Sequence, residues 1–192
     1  MDLLAVSPEN EYQGEVDLVI ALLEGGLDRY HLRKPDWNRK KTADFIQSLP
    51  KGHQSRISIH QGYELAKEYE VSLHRKSNQP FLHNARSASL HHWGKAWEEA
   101  EGLDYLFFSP LFPSISKKGY SPCRSTEYLA KALAIKIPAK RYALGGITAE
   151  NAAQAIALGF DGVVLHGSLW KSENPLKLIQ TIRGQSLCTG QH

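Results

Sequence analysis

The chain has 192 residues, 42% of them hydrophobic, which is enough for one substantial core and short for two domains. Its formal charge of +3 and pI near 8.8 are mild, and Lys and Arg are spread along the chain rather than gathered in a stripe, so nucleic acid is not implied. Cys123 and Cys188 lie far apart without ligand-like spacing, which argues against a disulfide framework or a zinc site and fits a reducing cytoplasm.

The opening Met1-Asp2-Leu3-Leu4-Ala5-Val6 carries no basic leader, and no apolar run approaches ~18 residues. Neither export nor membrane insertion is expected. The first short apolar run is Leu3 to Val6. Glu11 to Leu23 follows with Val16, Ile20 and Leu23 at helical spacing, and Gly25-Gly26 marks its exit. Asp28 to Leu32, Arg56 to Ile59 and Val71 to Leu73 read as the next three strands, and Phe81 to His83 as the fifth. Between Leu73 and Phe81 there is room only for a loop or one turn, so this unit has a shortened helix.

Ser89 or His91 to Ala100 reads as a helix before the sixth run, Asp104 to Phe108. Thr126 to Leu133 precedes Arg141 to Leu144, and Thr148 to Leu158, with Thr148 as N-cap and Gly159 as stop, precedes Gly162 to Leu165. Asn174 to Ile182, with Pro175 in its first turn, closes the series. Eight such units predict an α/β fold, a compact (β/α)₈ TIM barrel, as a single domain over 1–185 with 186–192 a frayed tail. An open doubly wound sheet shares these local elements and differs in closure. In both, ligands meet the C-terminal ends of the strands.

Three constellations stand at those ends. Leu144-Gly145-Gly146-Ile147-Thr148 and Leu165-His166-Gly167-Ser168-Leu169 offer glycines that let a phosphate approach the backbone, with helix N-termini expected at Thr148 and Ser168. In the loop after the sixth run, Ser114, Ser116 and Lys117 combine hydroxyls with a point charge suited to a polyanion. In the second run, period two places Arg29, His31 and Arg33 on one face, where Arg33 suits an anion or an acidic neighbour equally.

The order of His31-Leu32-Arg33, Ser89-Leu90-His91, Asp104-Tyr105, Ser109 to Lys117, Leu144-Gly145-Gly146-Ile147 and Asp161-Gly162-Val163-Val164 resembles that of the thiamin phosphate synthase and thiazole tautomerase family. The resemblance spans nearly the whole chain. It implies a reaction in which a thiazole phosphate nitrogen displaces pyrophosphate from a hydroxymethylpyrimidine diphosphate, with magnesium assisting. By position, Arg33, Ser89, Ser116 and Lys117 would hold pyrophosphate, while Gly146 and the amides of His166, Gly167 and Ser168 would hold the second phosphate.

The pattern also departs from the family at named places. Where synthases begin the second-strand motif with Gln and end it with an acidic residue then Lys, this chain has His31-Leu32-Arg33-Lys34-Pro35. The two magnesium carboxylates are replaced by His60-Gln61 and by Arg75-Lys76-Ser77. Pro110 stands where tautomerases carry a catalytic His.

His31, His60, His74, His83 and His166 all fall at or next to strand ends, which makes them candidates for a transition-metal site, with His60 and His74 foremost, or for proton transfer. Three functions follow: a synthase-like transferase acting on a phosphorylated heterocycle, a tautomerase-like isomerase using His60, His74 or His91, and a noncatalytic regulator that keeps the phosphate site.

Overall fold

The computed structural model describes residues 1–77, 79, 82–113 and 126–188. Eight parallel strands close on themselves in sequence order, each paired with the next and β8 with β1. They are β1 (Asp2–Val6), β2 (Arg29–Leu32), β3 (Ile57–Ile59), β4 (Ser72–Arg75), β5 (Ala85–Leu90), β6 (Tyr105–Phe108), β7 (Lys140–Leu144) and β8 (Gly162–Leu165). The closed barrel is therefore established, and the open sheet is excluded.

Around it lie α1 (Glu15–Glu24), α2 (Arg39–Ser48), α3 (Lys51–Gln54), α4 (Ala96–Ala100), α5 (Thr126–Ala134), α6 (Ala152–Ala157), α7 (Gly167–Trp170) and α8 (Pro175–Cys188). Local chemistry sets several boundaries. The Asn38 side chain accepts from Lys41 N at 2.9 Å and so caps α2. Glu15 and Asp17 place negative charge in the first turn of α1, at the positive end of its dipole. Helix α8 continues to Cys188, beyond the Ile182 boundary that the sequence predicts. Arg183 on this helix ties it to the barrel floor, donating to Gly26 O and Met1 O at 2.6 Å each.

Two expectations need correction. The fifth strand is Ala85–Leu90 rather than Phe81 to His83, so Ser89 is a strand residue and His83 sits exposed before the strand's first residue, away from the mouth. Helix α6 starts at Ala152 rather than Thr148, because the Thr148 amide donates to Asn151 Oδ1 at 2.8 Å while Asn151 Nδ2 donates to Gly146 O. As expected, no helix occupies the described residues between β4 and β5, and the preceding unit also lacks an α-helix, having a 3₁₀ turn at Tyr63–Lys67.

The core has two compartments. Alternate strand residues such as Leu3, Leu32, Ile57, Leu106 and Val163 face outward into one large cluster with Val19, Leu22, Ile46, Trp93, Ile179 and Ile182 of the surrounding helices and turns. Each fully buried side chain of this kind contributes about 1.5–3 kcal/mol. Inside the barrel, Leu4, Val6, Tyr105, Phe107, Tyr142 and Val164 form a separate apolar group from β1 and β6 to β8.

The other half of the interior, from β2 to β5, is polar. Arg29 donates to Ser72 Oγ at 3.1 Å and Ser58 Oγ at 3.4 Å, and Ser58 lies 3.3 Å from Tyr105 Oη. Buried polar groups in such a layer hold their place by satisfying one another. Among the described residues, no helix is long and apolar enough to cross a membrane.

Candidate functional site

The C-terminal mouth of the barrel opens into a cavity of about 460 Å³. One wall comes from the turns after β7 and β8: Gly145, Gly146, Ile147, His166, Gly167 and Ser168. The facing wall brings Glu9, Arg33, Lys76, Ser77, Ser89, His91 and Ser109, with His60 and Phe107 at depth. Nine residues singled out in the sequence thus share one cavity: Arg33, His60, Ser89, His91, Gly145, Gly146, His166, Gly167 and Ser168. Ser114, Ser116 and Lys117 lie outside the described residues.

The glycine wall is built by a close approach. Gly145 and Gly146 adopt φ of +96° and +67°, and a Cβ on Gly146 would stand 2.4 Å from Pro113 O and 2.8 Å from Phe112 Cβ. Leu111 N and Phe112 N donate to Leu144 O and Gly145 O at 3.0 and 3.1 Å, so the loop after β6 is stitched onto the turn after β7. On the same wall, Ser168 Oγ is shielded from water and has no hydrogen-bond partner among the described residues. Such an atom is prepared for an acceptor brought by a ligand.

On the cationic wall, Arg33 pairs with Glu9, and its backbone exchanges hydrogen bonds with Ser7 Oγ at 2.8 and 2.9 Å. Lys76 makes no ion pair among the described residues. The neighbouring Lys34 turns away from the mouth: fully buried, it donates to Glu15 Oε2 at 2.6 Å and Asn10 O at 2.7 Å. Its charge is thereby committed to holding β2 against α1, where Tyr30 Oη also donates to Glu15 at 2.7 Å.

Below the mouth lies a group of three buried imidazoles. His31 Nδ1 is 3.0 Å from His60 Nε2, and His31 Nε2 is 2.9 Å from Tyr105 Oη. His74 Nδ1 and Nε2 meet Ser87 Oγ and Ser89 Oγ at 2.8 and 2.9 Å. The His60 and His74 rings stack at 4.1 Å. His31 and His74 are wholly buried, so of the three only His60 reaches the cavity. Burial pushes all three toward the neutral form: His31 and His60 fall well below the usual histidine range, helped first by the neighbouring His74 and then by Arg29 for His31 and by His31, Arg33 and Lys76 for His60, and His74 falls to about 3.

This has a consequence for stability. Above pH ~6.5 the three rings are neutral both folded and unfolded, and below it the unfolded chain binds protons that the folded one resists. In metal-free protein the melting temperature is expected to drop as pH falls from ~6.5, each ring costing up to about 1.4 kcal/mol per pH unit. A melting temperature flat down to pH ~5 in wild-type protein, or an equal drop in a His74→Gln variant, would contradict this assignment.

The family resemblance implies magnesium, and the mouth does not fit it. A hard cation takes oxygen ligands, chiefly carboxylates. Glu9 is the one carboxylate lining the cavity among the described residues, it is engaged by Arg33, and residues 114–125 contain no Asp or Glu.

The sequence missed Lys76 and Glu9 as mouth residues and Tyr105 as the partner of His31. Strand parity does signal Lys76, two residues beyond His74 and on the same face. Glu9 lies in a loop without a periodic pattern.

A closed parallel barrel with its cavity over the C-terminal strand ends defines a (β/α)₈ barrel of the ligand-binding type. Comparison with known proteins narrows this. The family model described as TMP-TENI, thiamine monophosphate synthase, matches residues 83–169. A thiamine-phosphate synthase of Listeria welshimeri is 30% identical over 149 residues, 71% of each chain. One from Chlorobium luteolum is 40% identical over 78 residues, 40% of this chain and 36% of that one. The solved thiamine phosphate pyrophosphorylase of Bacteroides thetaiotaomicron is 26% identical, with a TM-score of 0.79 over 100% of both chains. The chain belongs to the thiamine-phosphate synthase family. With the Chlorobium relative and one from Listeria innocua, the matched region spans 36% and 45% of the relative's length, less than half.

Proposed function

We propose that residues 1–185 act as one barrel domain that joins a thiazole phosphate to a hydroxymethylpyrimidine diphosphate, releasing pyrophosphate. The observation that carries this reading is the pairing of two anion-ready walls across one cavity of about 460 Å³. The thiazole phosphate rests against Gly146 and the amides of His166, Gly167 and Ser168, where Ser168 Oγ donates to it. The diphosphate lies against Arg33, Lys76, Ser89 and His91, and the sequence offers Lys117 and the hydroxyls of Ser114 and Ser116 as further groups suited to it.

In the reaction the thiazole ring nitrogen attacks the pyrimidine methylene carbon. The new C–N bond replaces the C–O bond, and pyrophosphate leaves with the electron pair. The protein's contribution is orientation and charge: Arg33, held by Glu9, and Lys76 neutralise the leaving group as its negative charge grows. No step passes through magnesium.

The test is product formation from both substrates, with and without Mg²⁺. Thiamin phosphate and pyrophosphate in equal amounts are expected. Tight binding of thiazole phosphate with no product would replace this reading by the noncatalytic one. Lys76→Ala is expected to raise KM for the diphosphate roughly 10- to 100-fold, the range for loss of a charged hydrogen bond, while leaving thiazole phosphate affinity unchanged. Equal losses for both ligands would contradict the assignment of Lys76 to the diphosphate wall.

A further inference from the structure

We propose that His31, His60 and His74 form a three-imidazole site for one divalent transition-metal ion of the zinc type, seated beneath the anion cavity with its open position facing that cavity. Adjacent strands β2, β3 and β4 supply one ring each, and one nitrogen of each lies within 4.8 Å of the others. An all-nitrogen set selects zinc, cobalt, nickel or copper over magnesium and calcium. Three histidines with a free fourth position is the arrangement of an open, rather than a closed structural, zinc site.

The surroundings complete such a site. Ligating imidazoles hold their second nitrogen to an outer partner, which fixes ring and tautomer. Here Tyr105 Oη stands 2.9 Å from His31 Nε2, and Ser87 and Ser89 stand at 2.8 and 2.9 Å from the two nitrogens of His74, one of which stays as the outer partner while the other gives up its hydrogen bond to the ion. Ligation through His31 Nδ1 leaves the ring proton on Nε2, where Tyr105 accepts it. His60, which lines the cavity, gives the ion its way in.

Zinc–nitrogen bonds of about 2.0–2.1 Å set ligand nitrogens about 3.4 Å apart in a tetrahedron. His31 Nδ1 and His60 Nε2, at 3.0 Å, are near that spacing. The ion takes the place of their hydrogen bond, His60 keeping its one ring proton on Nδ1, and His60 turns out of its stack on His74 to admit it. This site does not rest on the proposed transferase function, although His60 and Ser89 also line the anion cavity.

Untagged, metal-free full-length protein titrated with Co²⁺ should take up one equivalent. The visible spectrum should be that of a four- or five-coordinate nitrogen site, discharged by Zn²⁺, and X-ray absorption should show nitrogen and oxygen neighbours with several imidazoles. His60→Gln should abolish the spectrum, and Tyr105→Phe should weaken binding about 10-fold, the lower end for loss of an outer partner. No uptake of Co²⁺ or Zn²⁺ by the wild type overturns the proposal. So does a spectrum unchanged in His60→Gln, which would place the ion on other histidines. If His60→Gln does not fold, the wild-type absorption spectrum and the Tyr105→Phe affinity decide: fewer than three imidazoles, or an unaltered affinity, overturns it.

Discussion

Replacing Glu15 by alanine is expected to destabilise the protein by about 3–5 kcal/mol, the usual cost of stranding one partner of a buried ion pair. Lys34 is fully buried and Glu15 is 5% exposed. The carboxylate receives Lys34 Nζ at 2.6 Å on one oxygen and Tyr30 Oη at 2.7 Å on the other, so truncation leaves both an ammonium and a phenol without their acceptor. Asn10 O at 2.7 Å stays with the ammonium but carries no charge. Glu15→Gln keeps a hydrogen-bond acceptor and should cost less than Glu15→Ala. Denaturant unfolding of the two variants measures the difference, and a loss under ~1 kcal/mol in Glu15→Ala would show that Lys34 finds water. This pair bears on function as well, because it keeps Lys34 out of the mouth and leaves Arg33 and Lys76 as the described mouth residues with permanent positive charge.

The second large effect is expected from Gly146→Ala. Its φ of +67° costs a residue with a Cβ of order 1–3 kcal/mol. The added atom would also meet Pro113 O at 2.4 Å and Phe112 Cβ at 2.8 Å, and neither is the far end of a flexible chain. The described part of the loop after β6 must therefore lift off the turn after β7, at the rim of the cavity. A misplacement of about 1 Å in a reacting assembly costs on the order of 10²-fold, so kcat/KM is expected to fall by that factor. Gly52→Ala is the control, because its Cβ meets no atom within 4 Å. Turnover by Gly146→Ala equal to that of the control would remove the glycine wall from the account.

Strand by strand, the sequence reveals this barrel wherever one face of a strand packs on helices. Leu3 to Val6, Asp104 to Phe108 and Gly162 to Leu165 are apolar enough to be read directly. Strand β5 is the exception for a physical reason. Its Ala85-Arg86-Ser87-Ala88-Ser89-Leu90 points Ser87 and Ser89 at His74 inside the barrel, so its inner face carries no hydrophobic signal, and Phe81 to His83 gives the stronger apolar pattern nearby. The same polar half of the interior hid Tyr105 as a partner for His31.

For the site, glycine pairs and the His166-Gly167-Ser168 turn were legible because backbone approach needs particular residues. The N-terminus expected at Thr148 was not, since Asn151 captures that amide and takes the N-cap position itself. Which of several neighbouring cations reaches the mouth depends on distant partners. Lys34 and Lys76 look alike in the sequence until Glu15, 19 residues away, is seen to claim one of them.

The most direct measurement is calorimetric titration of the magnesium-free protein with thiazole phosphate, in the presence and absence of inorganic phosphate. The account predicts one site per chain, competed by inorganic phosphate and lost in Gly146→Ala. Absence of binding, or binding indifferent to both inorganic phosphate and Gly146→Ala, would contradict the assignment of the wall after β7 and β8 as a phosphate site.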